Sequence, residues 1–193
     1  MNEARYRDAE SRMWSHVGVQ PTERWLDLEV TGTRVRALEA GVGTPVVFLH
    51  GGNVGAWSWA PLVAELQDFR CIVLDRPGCG LSPALTTSFD DVAHLQSFAD
   101  AFVVDVLAAL GLAQADVVAI SYGGYFALRA AAAHPERVRR VVEMSWPIGA
   151  PMGRMPAVMR MTGIRSLGLL MARLPFIDDP VRAAGAARRF FSA

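Results

Sequence analysis

The sequence contains no lysine: all nineteen basic residues are arginine. That excludes a Walker A lysine, a Schiff-base lysine and a lysine general base together. An excess of one charge sign is missing too, because nineteen Asp and Glu bring the formal net charge to zero. A balanced chain offers no electrostatic footing for nucleic acid or an anionic membrane, and neither is expected as a partner. Cysteine is scarce. Cys71 and Cys79 fit a reducing compartment better than a disulfide scaffold. Spaced across a strand and the turn after it, they make a poor metal pair, so no metal or cofactor is implied. The N-terminal run MNEARYRDAESR is charged where a signal peptide needs an apolar core. No apolar run is expected to reach the length of a transmembrane helix. These absences point to a soluble, cytoplasmic protein.

What is present is one domain's worth of chain, 193 residues of which 52% are hydrophobic, enough to bury a sizeable core. Residues 4 to 17 have a helical pattern, with Tyr6, Ala9, Met13 and Val17 on one face, ended by Pro21. Trp25 to Val30 and Thr33 to Glu39 alternate apolar and polar residues about Thr31-Gly32, which suits a hairpin. From Pro45 the pattern changes. Val46-Val47-Phe48-Leu49 is a continuous apolar run, the signature of a strand buried on both faces of a parallel sheet. Cys71 to Leu74, Val117 to Ile120 and Val138 to Val142 repeat it. Helical patterns separate these runs: Trp59, Leu62, Val63 and Leu66; then Val92 to Leu110, stopped by Gly111; then an Ala-rich stretch, 122 to 133, ending at Pro135. Strands alternating with helices mean βαβ units with right-handed crossovers.

After Met144 the regularity breaks at Pro147, Gly149, Pro151, Gly153 and Pro156. The chain therefore divides into an N-terminal helix and lead-in (1–23), an α/β core (24–146) and a helical segment (147–193) rich in Met and Arg.

The run Val117-Val118-Ala119-Ile120-Ser121-Tyr122-Gly123-Gly124 lies between a buried strand and a helix, the setting that a nucleophile elbow requires. A sharp strand-to-helix turn leaves the serine strained, with its hydroxyl exposed. The residues two before and two after it come close together, so both must be small; here they are Ala119 and Gly123. The following helix aims its N-terminus at the site and favours an oxyanion there. The bland alternative is an ordinary strand-to-helix turn.

An oxyanion hole needs two backbone N–H groups converging on one point. Tyr122, the residue after the serine, is expected to supply one. The loop His50-Gly51-Gly52-Asn53, directly after the strand 45 to 49, is expected to supply the other, with Gly52 the first candidate and Asn53 the second. His50 reads as a loop-stabilising residue rather than a base. Asp75-Arg76-Pro77-Gly78-Cys79-Gly80-Leu81-Ser82 reads as architecture, with Pro77-Gly78 at the centre of a type II turn. Cys79 is a poor nucleophile candidate, since no helix follows it.

The order H-G-G, D-R-P-G-x-G-x-S and S-x-G-G, followed by His134-Pro135-Glu136-Arg137-Val138, resembles the α/β-hydrolase family over about residues 24 to 146. The resemblance implies an eight-stranded, mostly parallel sheet with a cap inserted after the sixth strand. It also implies a Ser–His–Asp triad in the chain order serine, acid, histidine. Residues 1–193 would hold the first six strands and the start of the helical cap, with the last strands absent. An Asp nucleophile, as in the dehalogenases and epoxide hydrolases that resemble this fold, is disfavoured by Ser121.

Two departures from the family pattern stand out. Ala119 replaces the first Gly of the usual G-x-S-x-G. After Ser121 the only histidine is His134, at the end of the elbow helix, in what reads as a surface position. Glu143 and Asp178 are the nearest acids, and neither matches the family's position, so no acid and no base is assigned. In the cap, Met152, Met155, Met159, Met161 and Met171 either line an adaptable apolar pocket or pack the cap on the body.

Two functions remain open at this level. One is a serine hydrolase of a small, apolar ester or related acyl substrate. The other is a non-catalytic truncated product or a small-ligand-binding protein on a hydrolase scaffold. If the sixth strand is an edge, Val138, Val141 and Val142 lose cover and the strand becomes a template for another chain. Self-association through that edge, or a need for a completing polypeptide, is expected. Size-exclusion chromatography with hydrogen exchange tests it: a stable monomer with residues 138 to 144 strongly protected would show that the edge is covered within the chain.

Overall fold

A computed structural model of the chain describes residues 2–52, 54–86, 89 and 91–145. Among them, six strands form one sheet: β1 Thr22–Leu28, β2 Thr33–Ala40, β3 Thr44–Leu49, β4 Phe69–Asp75, β5 Ala115–Ile120 and β6 Val138–Met144. Their order is β1-β2-β4-β3-β5-β6. β1 and β2 pair antiparallel, as do β2 and β4, while β4, β3, β5 and β6 run parallel. The expected mostly parallel α/β-hydrolase sheet is present through its sixth strand. The cap expected over 147–193, with its five methionines and Asp178, lies outside the described residues.

The apolar runs are continuous because each central strand is covered on both sides. Val47, Leu49, Ile72 and Leu74 face one apolar layer, which includes Phe102, Val106 and Phe126. Val46, Phe48, Cys71 and Val73, one residue out of phase, face a second layer with Trp14, Trp59 and Val63. The helices are α1 Glu3–His16, α2 Ala60–Ala64, α3 Val92–Ala109 and α4 Tyr122–Ala133. Before α2, Ala56–Trp59 forms a 3-10 turn. Asp91 caps α3 by accepting the His94 N–H at 2.7 Å, which satisfies one of the helix's orphan donors.

Several sequence expectations need correction. β1 starts at Thr22 and ends at Leu28, so the hairpin connection is four residues, 29–32, not two. Val30 is strongly exposed, and its apolar side chain reads as strand only in sequence. In α1 the buried residues are Tyr6, Ala9, Glu10 and Trp14; Met13, and Val17 just past the helix end, are half-buried. Trp14 belongs to the second apolar layer. α3 is long and apolar enough to span a membrane by length and composition, contrary to expectation. Its Ala99, Phe102, Val103, Val106 and Leu107 are buried in the first apolar layer.

Among the described residues β6 is an edge strand, and Val142 is 54% exposed. Val138, expected to lose cover, is instead buried in the first layer. A register shift between Ala115 and Asp116 coincides with its turn into the core.

Phe102 is fully buried, its ring 5.6 Å from those of both Phe98 and Phe126. Phe102→Ala is expected to lower unfolding stability by about 3–5 kcal/mol, read by urea titration. A loss below about 1 kcal/mol would contradict a close-packed aromatic cluster at this position.

Candidate active site

The C-terminal ends of β3, β4 and β5 bring the three sequence motifs together. Ser121 sits between β5 and α4 with φ 52° and ψ −123°. A non-glycine residue at positive φ costs about 1–3 kcal/mol and persists only where its surroundings enforce it. Two hydrogen bonds do so here. The Ser121 N–H donates to the Met144 carbonyl at 3.0 Å, and the Ser121 carbonyl accepts from the Gly124 N–H at 2.9 Å. Serine at a helix start normally turns its hydroxyl back to cap the helix. Ser121 makes no such bond, so its Oγ is not spent on capping α4.

Gly123 has no room for a side chain. A Cβ on Gly123 would collide with the carbonyl oxygens of Leu49 and His50 at the end of β3. The approach of α4 to the neighbouring strand therefore constrains this position. β3 and β5 are adjacent, with Leu49 opposite Ala119, which sets the loop after β3 beside the elbow. A Cβ on Gly51 would lie 3.2 Å from the Ser121 Cβ and 3.8 Å from its Oγ. Gly51 thus packs directly beside the serine, a contact the motif alone does not specify. Gly52 is exposed. Asn53 lies outside the described residues.

His50 is fully buried. Its Nδ1 is 2.7 Å from the Gly51 carbonyl oxygen, and its Nε2 lies 3.0 Å from the Arg76 backbone nitrogen. The Arg76 N–H needs an acceptor, so Nε2 is unprotonated and Nδ1 carries the hydrogen. With both nitrogens engaged, His50 holds the loop and is not free to act as a base. Burial, reinforced by the Arg76 charge and opposed by the Gly51 carbonyl, lowers its pKa from 6.5 to about 3.

The turn Arg76-Pro77-Gly78-Cys79 closes through a Cys79 N–H to Arg76 carbonyl bond of 2.9 Å, with Gly78 at φ 74°, as a type II turn requires. Burial pushes the Cys79 thiol up from its ordinary value, with Arg76 pulling the other way; a protonated thiol is a weak nucleophile. The other histidines are no closer to use. His16 and His94 are exposed, and His134 is paired with Glu136 at 3.8 Å. None of the four histidines hydrogen-bonds the Ser121 hydroxyl. The Glu143 carboxylate oxygens are buried without a normal hydrogen-bond partner among the described residues, packed where Gly124 leaves room. Burial pushes that carboxyl above its usual range, while the backbone at Ser121 and Met144 pulls it back.

A strained serine at a strand-to-helix turn, with a glycine loop set beside it from the adjacent strand, defines the class. The chain belongs to the alpha/beta hydrolase fold family, whose model matches residues 44–160. It is 36% identical over 125 residues to 2-hydroxymuconate semialdehyde hydrolase of Pseudomonas sp. strain CF600, covering 61% of this chain and 42% of that protein. It is 32% identical to a 2-hydroxy-6-oxononadienedioate/2-hydroxy-6-oxononatrienedioate hydrolase of Burkholderia vietnamiensis, covering 77% of this chain and 52% of that protein. Among solved structures, 2-hydroxy-6-oxo-6-phenylhexa-2,4-dienoate hydrolase of Rhodococcus sp. strain RHA1 matches at TM-score 0.63 and 26% identity, over 72% of this chain and 50% of that one. A Bacillus subtilis carboxylesterase matches at TM-score 0.64 and 21% identity, over 74% and 49%. The chain thus spans about half the length of the curated relatives that it matches.

The low His50 pKa makes a testable demand on stability. An imidazole whose folded pKa lies below its unfolded value contributes fully above about pH 6.5. That contribution is lost as pH falls toward about 3, at about 1.4 kcal/mol per pH unit while only the unfolded state takes up the proton. Glu143 works in the opposite sense, its contribution present at low pH and lost as pH rises through its raised pKa. Urea unfolding between about pH 6.5 and 5 should show stability falling more steeply in the wild type than in His50→Asn. Equal slopes would mean that His50 is not held neutral.

Proposed function

We propose that Ser121 is the nucleophile of a hydrolase acting on a small acyl compound, an apolar ester or a related oxo acid. Ser121 Oγ attacks the substrate carbonyl, and the Tyr122 and Gly52 N–H groups receive the developing oxyanion, with Asn53 the alternative to Gly52. The proton leaves Oγ for a histidine that is not one of the four in residues 1–193. The observation that carries the reading is the Ser121 backbone, held at positive φ with its hydroxyl not used as a helix cap. The substrate class draws on the relatives, whose names include oxo-acid hydrolases and a carboxylesterase. A further relative, 30% identical, is a haloalkane dehalogenase of Agrobacterium fabrum; the serine at position 121 favours acyl chemistry for this chain.

The second reading, a non-catalytic product or a small-ligand-binding protein on the same scaffold, is favoured by one observation. No histidine among the described residues hydrogen-bonds the Ser121 hydroxyl, and a serine without a base is a poor nucleophile at neutral pH. Reading the coding sequence past Ala193 separates the two. A polypeptide that continues through an acid and a histidine should hydrolyse p-nitrophenyl esters, with Ser121→Ala costing ~10³-fold or more in kcat. Residues 1–193 alone should turn over p-nitrophenyl acetate within about tenfold of their own Ser121→Ala variant. Robust turnover by residues 1–193 that vanishes in that variant would mean that a base within them serves Ser121.

A further inference from the structure

Arg76 is a buried cation, 5% exposed, with no carboxylate partner among the described residues. Its carboxylate neighbour in sequence, Asp75, is bound to Arg36 at 3.0 Å. A buried guanidinium must be satisfied by fixed dipoles, and Arg76 uses backbone carbonyls of the loop after β3. Its Nε donates to the His50 carbonyl at 2.9 Å and its Nη2 to the Gly51 carbonyl at 2.6 Å. His50 Nδ1 meets the same Gly51 oxygen at 2.7 Å. The guanidinium also lies over the Tyr122 ring, 5.1 Å from its centroid, a favourable contact for a desolvated cation.

A peptide unit is planar and trans, so its C=O and the next residue's N–H point in opposite directions. Fixing the Gly51 oxygen therefore fixes the Gly52 N–H, which must point away from Arg76. Fixing the His50 oxygen does the same for the Gly51 N–H. We propose that Arg76 is a positioning residue that, with His50, clamps the Gly51–Gly52 peptide and holds its N–H ready for the oxyanion at Ser121. The motif arginine thereby couples both donor-bearing segments, the loop through its carbonyls and Tyr122 through its ring. Two adjacent glycines would otherwise leave that peptide free to flip. The inference rests on the proposed role of Gly52 as an oxyanion donor.

Backbone 15N relaxation on residues 1–193 tests the clamp without any need for turnover. The Gly52 amide should show an order parameter near that of rigid backbone, about 0.85, in the wild type and fall toward about 0.6 in Arg76→Gln. Core amides of β3 and β5 should be unchanged. Arg76→Lys, which keeps the charge but not the two-pronged donor, should fall between; it replaces the Gln variant if that fails to fold. A Gly52 amide as rigid in the variants as in the wild type overturns the clamp. Phenylboronic acid, which forms a tetrahedral adduct on an accessible serine hydroxyl, reads its consequence: Arg76→Gln should weaken the affinity at least about tenfold. Loosened Gly52 with unchanged affinity overturns the positioning role. Wild-type affinity retained in Ser121→Ala would instead fault the assignment of Ser121, and the amide measurement would still decide the clamp.

Discussion

The site depends on one buried carboxylate. Asp75, at the C-terminal end of β4, is 0% exposed, and an unpaired charge there would cost several kcal/mol. Its two oxygens are instead filled from three directions. Arg36 on β2 donates at 3.0 Å, the Ala56 N–H at 2.7 Å and the Leu81 N–H at 3.0 Å. The loop after β3 therefore ends on Asp75, through Ala56, and begins on Arg76, through the His50 and Gly51 carbonyls. Consecutive residues of opposite charge tie down the two ends of one loop. Ser82 extends the arrangement, donating its hydroxyl to the Asp75 carbonyl at 2.6 Å and accepting the Arg36 N–H at 2.9 Å. The run from Asp75 to Ser82 is thus architecture, and what it builds is the surroundings of Ser121.

The elbow illustrates how local preference yields to tertiary constraint. Serine before a helix ordinarily accepts a backbone N–H, which is worth about 1 kcal/mol. Ser121 forgoes that bond and adopts a positive φ, two departures in the same unfavourable sense. Parallel pairing of β5 with β3 and β6 opposes them. So does the Ser121 N–H bond to Met144, which ties the turn to the neighbouring strand. A local rule broken with support from several elements is the pattern expected where a site is being held for chemistry.

Much of this was legible in the sequence. Continuous apolar runs identified the buried strands because burial on both faces leaves no polar phase, and the small residues after Ser121 marked the turn because no bulkier residue fits. Side-chain period alone could not set the end of β1, since exposed Val30 carries the same apolar signal as a core valine. Nor could it tell that Trp14 would be buried while Met13 and Val17 stay half-buried.

What the sequence by itself determined was the order of the strands and helices through β6 and the candidate nucleophile, because both follow from spacing along the chain. Only the tertiary structure decided which atoms constrain them. Gly123 is small because β3 carbonyls approach it, and burial, then the Arg76 charge, disfavour the protonated form of His50. Arg76 matters because its guanidinium reaches the carbonyl of Gly51, 25 positions away. Such contacts depend on which strands lie side by side, and in a sheet ordered β1-β2-β4-β3-β5-β6 chain order does not state the neighbours. The partner of a polar group is set by that adjacency, so the motifs were readable in the sequence and the contacts between them were not.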